Sequence, residues 1–415
     1  MVKWTVLYRG LAVLLAVGLC AGLALPAIAQ EAKAETPGLR VATFDLDVTP
    51  PVGVQMAYDP VKKKWDLGLR GRGIVLMGAG DPVVLCAMDW IGIGNGAYDA
   101  FQKALAKAAG TTPERVAVHC LHQHDSPMCD FTAEKILEEA GIAPDKFESD
   151  FHRNALQRLA ARVKASLDST QPVTHIGTGK AEVKKVASNR RILGEDGKVR
   201  AVRFTTCRDP KVRAEPEGTI DPELSMVSLW NGEAPLAVLT YYATHPQSYY
   251  RTGIPNPDFP GLARFMHQLE VPQALHVHFT GAGANIGAGK YNDGSKENRG
   301  ILARRVADAM RRAWDATDKQ PITAEDVDWR LTKVVLPLAP HLKVEELEAT
   351  LKNKPEDADL VRTARHLAWA RRCQAGDGIE VSCLELGPAQ LIHMPAELFV
   401  EYQLAAKQMR PDKFV

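Results

Sequence analysis

Two histidines separated by one residue, His122 and His124 in the run His119-Cys120-Leu121-His122-Gln123-His124, have a spacing suited to chemistry. In an extended strand alternate side chains share a face, so this pair would stand about 7 Å apart on one side with His119 on the other. One neutral imidazole could then bind a metal while its neighbour orients or protonates a substrate, or both could bind. Asp125-Ser126-Pro127 follows as a turn and sets the pair at a loop edge, where catalytic groups commonly sit. On its own the pair reads equally well as two hydrogen-bonded surface or core histidines.

Two further strand ends carry donors. Tyr241-Tyr242-Ala243-Thr244-His245-Pro246 ends an apolar run in a histidine, and Ile392-His393-Met394-Pro395-Ala396-Glu397 delivers a carboxylate to an expected first helical turn. Singly, His245 reads as a histidine hydrogen-bonded at a strand end, and Glu397 as a carboxylate favouring a positive helix end. Together with His122 they supply two histidines and one carboxylate from separate elements, a set that holds zinc with a position left open for water. Zinc so held lowers the pKa of its water to about 7 and polarises a scissile carbonyl. Leu275-His276-Val277-His278-Phe279 is a rival His-X-His that competes equally on spacing alone. Arg190, beside Arg191, reads as a solvated arginine. The loop from Thr280 to Gly287 is glycine-rich but lacks the lysine and hydroxyl of a phosphate-binding loop. His152, His175, His267, His341 and His366 read as surface or hydrogen-bonded residues.

The elements that must position these groups alternate between strands and helices. Apolar runs at 39–48, 73–77, 83–88 and from 116 into the histidine pair read as strands, with helical spacing at 98–109 ending at Gly110. Helical spacing returns at 148–167, followed by strands at 173–186, 199–204, 224–230, 237–242 and 275–280. Helices at 298–316, 344–351 and 356–373 precede a last strand at 390–394, with Pro395 marking a helix start. The expected fold is α/β: mixed β-sheets with flanking helices in one large catalytic domain.

The chain ends and composition narrow the setting. Lys3 and Arg9, an uncharged run from Leu11 to Leu25 and the small-residue site Ala27-Ile28-Ala29 have the layout of a secretory signal peptide over 1–29, so the protein is expected to be secreted or periplasmic. Residues 30–37 read as a linker and 38–415 as the domain. The 51 Lys and Arg residues nearly balance the 50 Asp and Glu residues, which gives no electrostatic ground for a nucleic-acid partner. Six cysteines follow the leader; Cys120 with Cys129 and Cys373 with Cys383 are close enough in sequence to pair, and Cys86 reads as a buried thiol.

The ordered motifs resemble the neutral, non-lysosomal ceramidases over nearly the whole mature chain. Phe44-Asp45-Leu46-Asp47-Val48-Thr49-Pro50-Pro51 is similar to that family's first strand and its Asp-X-Thr-Pro turn, and Leu121 to Pro127 to its His-Thr-His-Ser-Gly-Pro signature. Asn189-Arg190, Ala243-Thr244-His245-Pro246 and Met394-Pro395-Ala396-Glu397 resemble its pocket arginine, second zinc histidine and Pro-Gly-Glu ligand. The resemblance implies that His122, His245 and Glu397 bind Zn2+, while His124 and Arg190 contact the reacting amide. It implies hydrolysis of the N-acyl bond of ceramide or a related N-acylated lipid, with transient membrane-surface contact. Asp125-Ser126 and Ala396 depart from the family's Ser-Gly and Gly, and the glycine-rich loop lacks its serine, so a serine nucleophile there is unsupported. The family's tyrosine ligand lies downstream of the glutamate, and the expectation is a domain incomplete at its C-terminus. Another amide or ester substrate, or an exported binding protein without turnover, are the alternatives. Oligomeric state is not legible.

Overall fold

The structure is a computed structural model that describes residues 38–414 except 65, 66, 145, 146 and 148. The leader and linker expected over 1–37 lie outside the described residues.

All six residues of strand Val83–Met88 are buried because both of its faces are covered. Side chains alternate between faces along a strand, so Val83, Leu85 and Ala87 enter one core while Val84, Cys86 and Met88 enter another. Its antiparallel neighbour Arg70–Met77, and Arg40–Asp47 paired antiparallel to that strand, divide in the same way. Val116–Cys120 and the short Gln171–Pro172 complete this five-stranded sheet. Helices Asn95–Ala109 and Ser149–Ser166 cover its outer face.

A second five-stranded sheet runs Leu275–Thr280, Ala234–Tyr242, Glu223–Asn231, His175–Glu182 and Asp318–Pro321. Val227, Leu229, Leu239 and Val277 meet the first sheet in the shared central core. Leu224, Met226, Val238 and Tyr242 face the helices Asp258–Glu270 and Glu297–Asp315 instead. The result is four layers: helix, sheet, sheet, helix. Full burial of one such aliphatic side chain is worth roughly 1.5–3 kcal/mol, so this face-by-face partition dominates the energetics. A three-stranded sheet of Val327–Val334, Ile379–Leu386 and Ala389–His393 closes one end of the central core through Leu384, Leu386 and Leu391. Helices Phe131–Glu139, Val344–Asn353 and Leu360–Ala375 pack into a satellite cluster.

The expected α/β architecture with mixed sheets is borne out, with some boundaries moved. The strand leading into the histidine pair stops at Cys120, and the helix expected from Pro395 begins at Val400. The proposed disulfides do not form: Cys86, Cys120, Cys129, Cys207, Cys373 and Cys383 are free, and Cys86 is buried as expected.

One crossover in each central sheet produces a parallel strand pair. Val83–Met88 connects through helix Asn95–Ala109 to Val116–Cys120, and Ala234–Tyr242 through helix Asp258–Glu270 to Leu275–Thr280. The loops carrying His122 and His245 leave the carboxyl ends of two of these strands, the edge at which α/β sheets build their sites.

Candidate metal centre

Beyond Cys120 the backbone is held by Leu121 N–H donating to Met88 O at 2.9 Å and His122 N–H to Trp90 O at 3.0 Å. His122 then takes φ +70°, a left-handed conformation that costs an L-residue about 1–2 kcal/mol and cannot continue a strand. That turn overturns the expectation of two histidines on one strand face: the rings of His122 and His124 lie 5.3 Å apart and nearly perpendicular, at 85°. Backbone strain of this kind concentrates at functional sites. His119 turns away, its Nε2 accepting from Thr280 N–H at 2.9 Å, and burial with the nearby His393 and His122 pushes its pKa down to about 3. Asp125 accepts from Thr252 Oγ1 at 2.7 Å and Thr252 N–H at 3.2 Å, tying this loop to the segment that follows His245.

His245 arrives at the end of the neighbouring sheet, with its N–H donating to Ile286 O at 3.2 Å. A Cβ at Gly281 would stand 2.4 Å from Gln403 Oε1, and one at Gly283 would stand 2.9 Å from the Thr244 carbonyl carbon. The glycines therefore let this loop press against the backbone that carries His245. Close packing accounts for them without a phosphate. The same loop holds the glutamate segment: Ala284 N–H donates to Leu398 O at 2.9 Å, and Asn285 Oδ1 accepts from Val400 N–H at 2.9 Å. Glu397 lies before that helix rather than in its first turn, following Ala396 at φ +65°.

Three loops thus bring together the residues singled out from sequence. Glu397 Oε2 is 3.4 Å from His122 Nε2, and Glu397 Oε1 is 2.8 Å from His245 Nδ1. His124 Nε2 is 2.8 Å from His245 Nε2. One ligand atom from each of His122, His124 and His245 lies within 4.8 Å of the others. His245 is 5% exposed and Glu397 41%, so the carboxylate closes the open side. Burial pushes the Glu397 carboxyl up, but the contact with His245 and the fields of His122 and Arg190 outweigh it and bring it to about 2. Burial, together with the neighbouring rings, holds His124 down at about 2; burial lowers His245 to about 4 against the pull of Glu397. His124 and His245 are neutral and the Glu397 carboxylate ionised near pH 7, the forms that bind a metal.

The donor set fits a metal on two counts. His122 Nδ1 is 2.6 Å from Ile91 O, which fixes the proton there and frees Nε2, the usual outer-shell arrangement of a ligating histidine. His245 Nδ1 is buried without a hydrogen-bond partner, because Glu397 Oε1 lies close but off the line of an N–H···O bond. Zinc bonds of about 2.0–2.2 Å at tetrahedral angles put donors about 3.3–3.6 Å apart. The 3.4 Å separation of His122 and Glu397 matches this spacing, and the 2.8 Å contacts are slightly tighter.

Arg190 reaches the same region from another segment, with Nη1 donating to Ala284 O at 3.1 Å and Nε unpartnered. Three residues had no sequence signal. Tyr58 stacks on His124 at 5.5 Å and 10°, Tyr250 meets the same ring edge-on at 5.2 Å, and Gln247 Nε2 lies 3.2 Å from His124 Nδ1. Tyr58 and Tyr250 sit in loops without periodicity, and Gln247 shows only its distance of two residues from His245. The rival pair goes elsewhere: His276 faces His267 and Val271 O, and His278 Nδ1 faces the Thr240 hydroxyl. His152, expected at the surface or hydrogen-bonded, is 1% exposed and has neither ring nitrogen bonded, packing on Trp90 instead.

No family model matches the chain, and no curated protein matches it. Its fold is similar to that of neutral ceramidase from Pseudomonas aeruginosa, with a TM-score of 0.60 and 17% identity over 89% of this chain and 64% of that one. It is similar as well to a ceramidase complexed with C2, with a TM-score of 0.61 and 17% identity over 91% and 67% of the two chains. At this identity the likeness is one of fold, and the chain spans about two thirds of the length of these structures. The resemblance carried by the sequence motifs is borne out at that level: the chain has the ceramidase fold.

Proposed function

We propose that this chain is an exported zinc-dependent amidohydrolase that cleaves the N-acyl amide of ceramide or a related N-acylated lipid. The observation that carries the reading is the convergence of His122 Nε2, the unpartnered His245 Nδ1 and both Glu397 oxygens from three loops. These three residues would hold the zinc. Bound there, zinc would supply an activated water and polarise the amide carbonyl. His124 stands beside them with a neutral imidazole that can donate a hydrogen bond to the substrate carbonyl, and Tyr58 and Tyr250 wall its ring. Arg190 directs a positive charge towards the same region, which suits the oxyanion that develops on the substrate carbonyl. Export rests on the leader-like 1–29, and a lipid substrate implies transient contact with a membrane surface.

A second reading exchanges the carboxylate for His124 and builds the centre from three histidines, favoured by the 4.8 Å cluster of His122, His124 and His245. Metal analysis of the purified full chain tests both. About one zinc per chain is expected, lost in H245A under either reading, lost in E397A only if the glutamate is a ligand, and lost in H124A only if His124 is. A chain that carries no transition metal after purification sinks the proposal. A panel of N-acylsphingosines, N-acyl amino acids and simple esters then fixes the substrate class. Tight zinc binding without turnover on any of them would instead mark an exported binding protein.

A further inference from the structure

The strands Arg191–Leu193 and Val199–Val202 pair with each other as a two-stranded hairpin outside the large sheets. Leu193 faces Val199 and Arg191 faces Val202, while Ile192 faces Ala201 on the opposite side. Ile192 and the following Arg203 are buried. The Arg203 guanidinium donates to the carbonyls of Asn189, Glu215 and Pro216 at 3.2, 3.0 and 2.9 Å, which fixes the base of the hairpin. The other side is open to solvent, where an antiparallel pair normally carries polar residues. Here Leu193 is 55% exposed, Val199 48% and Val202 45%, and Phe204, two residues on, is 63% exposed. Contiguous apolar surface of this kind marks an interaction site.

This face runs to the edge of the proposed centre. Arg190 N–H donates to Asn285 O and Arg203 N–H to Arg190 O, both at 2.7 Å, so the hairpin grows directly out of the segment that carries the site arginine. The Arg191 guanidinium lies over the Phe399 ring at 4.5 Å and pairs with Glu401 at 2.7 Å. Phe399 is half-exposed and stands two residues after Glu397, so its ring continues the apolar face towards the carboxylate.

Charge selects the partner. Residues 190–213 hold eight Lys and Arg against three Asp and Glu, an excess of five in a chain whose whole net charge is +1. Lys198, Arg208 and Lys211 have no carboxylate partner among the described residues. A second copy docked on the same face would bring two such excesses together, which like charge opposes. Apolar side chains flanked by unpaired cations instead suit a lipid surface with anionic headgroups. The tip carries Glu195 and Asp196, and Asp196 Oδ1 accepts from Lys198 N–H at 3.0 Å within the turn, so the hairpin would lie on that surface by its face and not by its tip.

We propose that the outer face of the 191–204 hairpin, continued by Phe399, docks this chain on an anionic lipid bilayer and presents the centre to substrate held there. The second half of that statement rests on the reading of a lipid substrate; docking itself does not.

Vesicle sedimentation tests the docking. The chain purified after export, without the leader-like 1–29, is mixed with vesicles of phosphatidylcholine and phosphatidylglycerol in equal parts. Binding is expected, and the combined Leu193→Ser, Val199→Ser and Phe204→Ser variant is expected to weaken it about tenfold or more. Leu269→Ser, at a comparably exposed leucine on helix Asp258–Glu270, is expected to leave it unchanged. Lys198→Ala, which keeps the apolar face, is expected to weaken it about fivefold. In the triple variant the zinc content, the urea midpoint and hydrolysis of a short-chain, water-soluble N-acylsphingosine are expected to match the parent. Hydrolysis of a long-chain one embedded in the vesicles is expected to fall with the binding. A parent that ignores the vesicles, or a triple variant that binds them as the parent does, overturns the proposal. Dimers of the parent that the triple variant loses, without vesicle binding, would assign the face to a second copy and overturn it as well. If vesicle binding is lost in the triple variant while no chain hydrolyses either substrate, the functional reading fails and the docking face stands.

Discussion

His267 and His276 face each other at 3.1 Å between Nδ1 atoms under helix Asp258–Glu270, while His124 and His245 face each other at 2.8 Å between Nε2 atoms at the loop edge. Burial lowers the basicity of both pairs. Their surroundings differ. His276 spends its second nitrogen on Val271 O, His278 meets the Thr240 hydroxyl, and the fields acting on them come from Arg72 and Arg264. At the loop edge a half-exposed carboxylate faces two ring nitrogens, one of them unbonded. Among the described residues, only His122, His124 and His245 form a group of three histidines close enough for one ion. Histidine clustering and depressed pKa are therefore common to scaffold and centre. Uncommitted donor atoms beside an ionised carboxylate separate them.

The largest test of this division is a pair of arginine substitutions. Arg264 forms two hydrogen bonds to Asp89, at 2.8 and 2.7 Å, with side chains 4% and 0% exposed. Arg264→Leu strands a buried carboxylate, and a loss of about 3–5 kcal/mol in urea unfolding is expected. Arg190 is only partly buried and has a backbone carbonyl rather than a carboxylate as its hydrogen-bond partner, so Arg190→Leu is expected to cost about 1 kcal/mol while removing most hydrolysis. Equal stability losses in the two variants would erase the distinction between scaffold and centre.

The sequence showed more of the centre than of its support. Residues at strand ends announced themselves: His122, His245 and Glu397 each follow an apolar run whose period of two fixes where the strand stops to within a few residues. The geometry between them was not legible, because the left-handed turn at His122 redirects the chain where alternation predicts continued strand. Strands buried on both faces, such as Val83–Met88, read as apolar runs, but which face meets which sheet depends on long-range pairing that no local pattern encodes. Gln247 and the two tyrosines gain their roles only through contacts with His124 from distant parts of the chain, and nothing in their neighbours marks them.

Acid sharpens the comparison at intermediate scale. Burial brings His119, His276 and His278 to about 3 in the folded chain, against about 6.5 for an unperturbed histidine. A depressed folded pKa means that the unfolded chain takes up more protons below about pH 6.5. These residues therefore contribute stability that is fully present above that pH and is lost as pH falls towards about 3. Each group adds a slope of up to about 1.4 kcal/mol per pH unit in that window. With metal removed by a chelator, His278→Gln is expected to reduce the slope of unfolding free energy between pH 6 and 4 by about one group's share. An unchanged slope would mean that His278 is already charged or solvated in the folded protein.

The smallest expected effect concerns strain. His276 and His278 lie within a regular strand, whereas the centre is flanked by two residues in left-handed backbone, His122 at φ +70° and Ala396 at φ +65°. His122 cannot be relieved without losing a donor. Ala396 can, because its side chain is exposed and only its backbone is constrained. Glycine adopts positive φ without the clash between Cβ and carbonyl, and the gain outweighs its larger unfolded-state entropy. Ala396→Gly is expected to stabilise the chain by about 1 kcal/mol in urea unfolding and to leave zinc content unchanged. A destabilised variant would show that the Ala396 methyl makes a contact that offsets its strained backbone, and the strain at the centre would then be confined to His122.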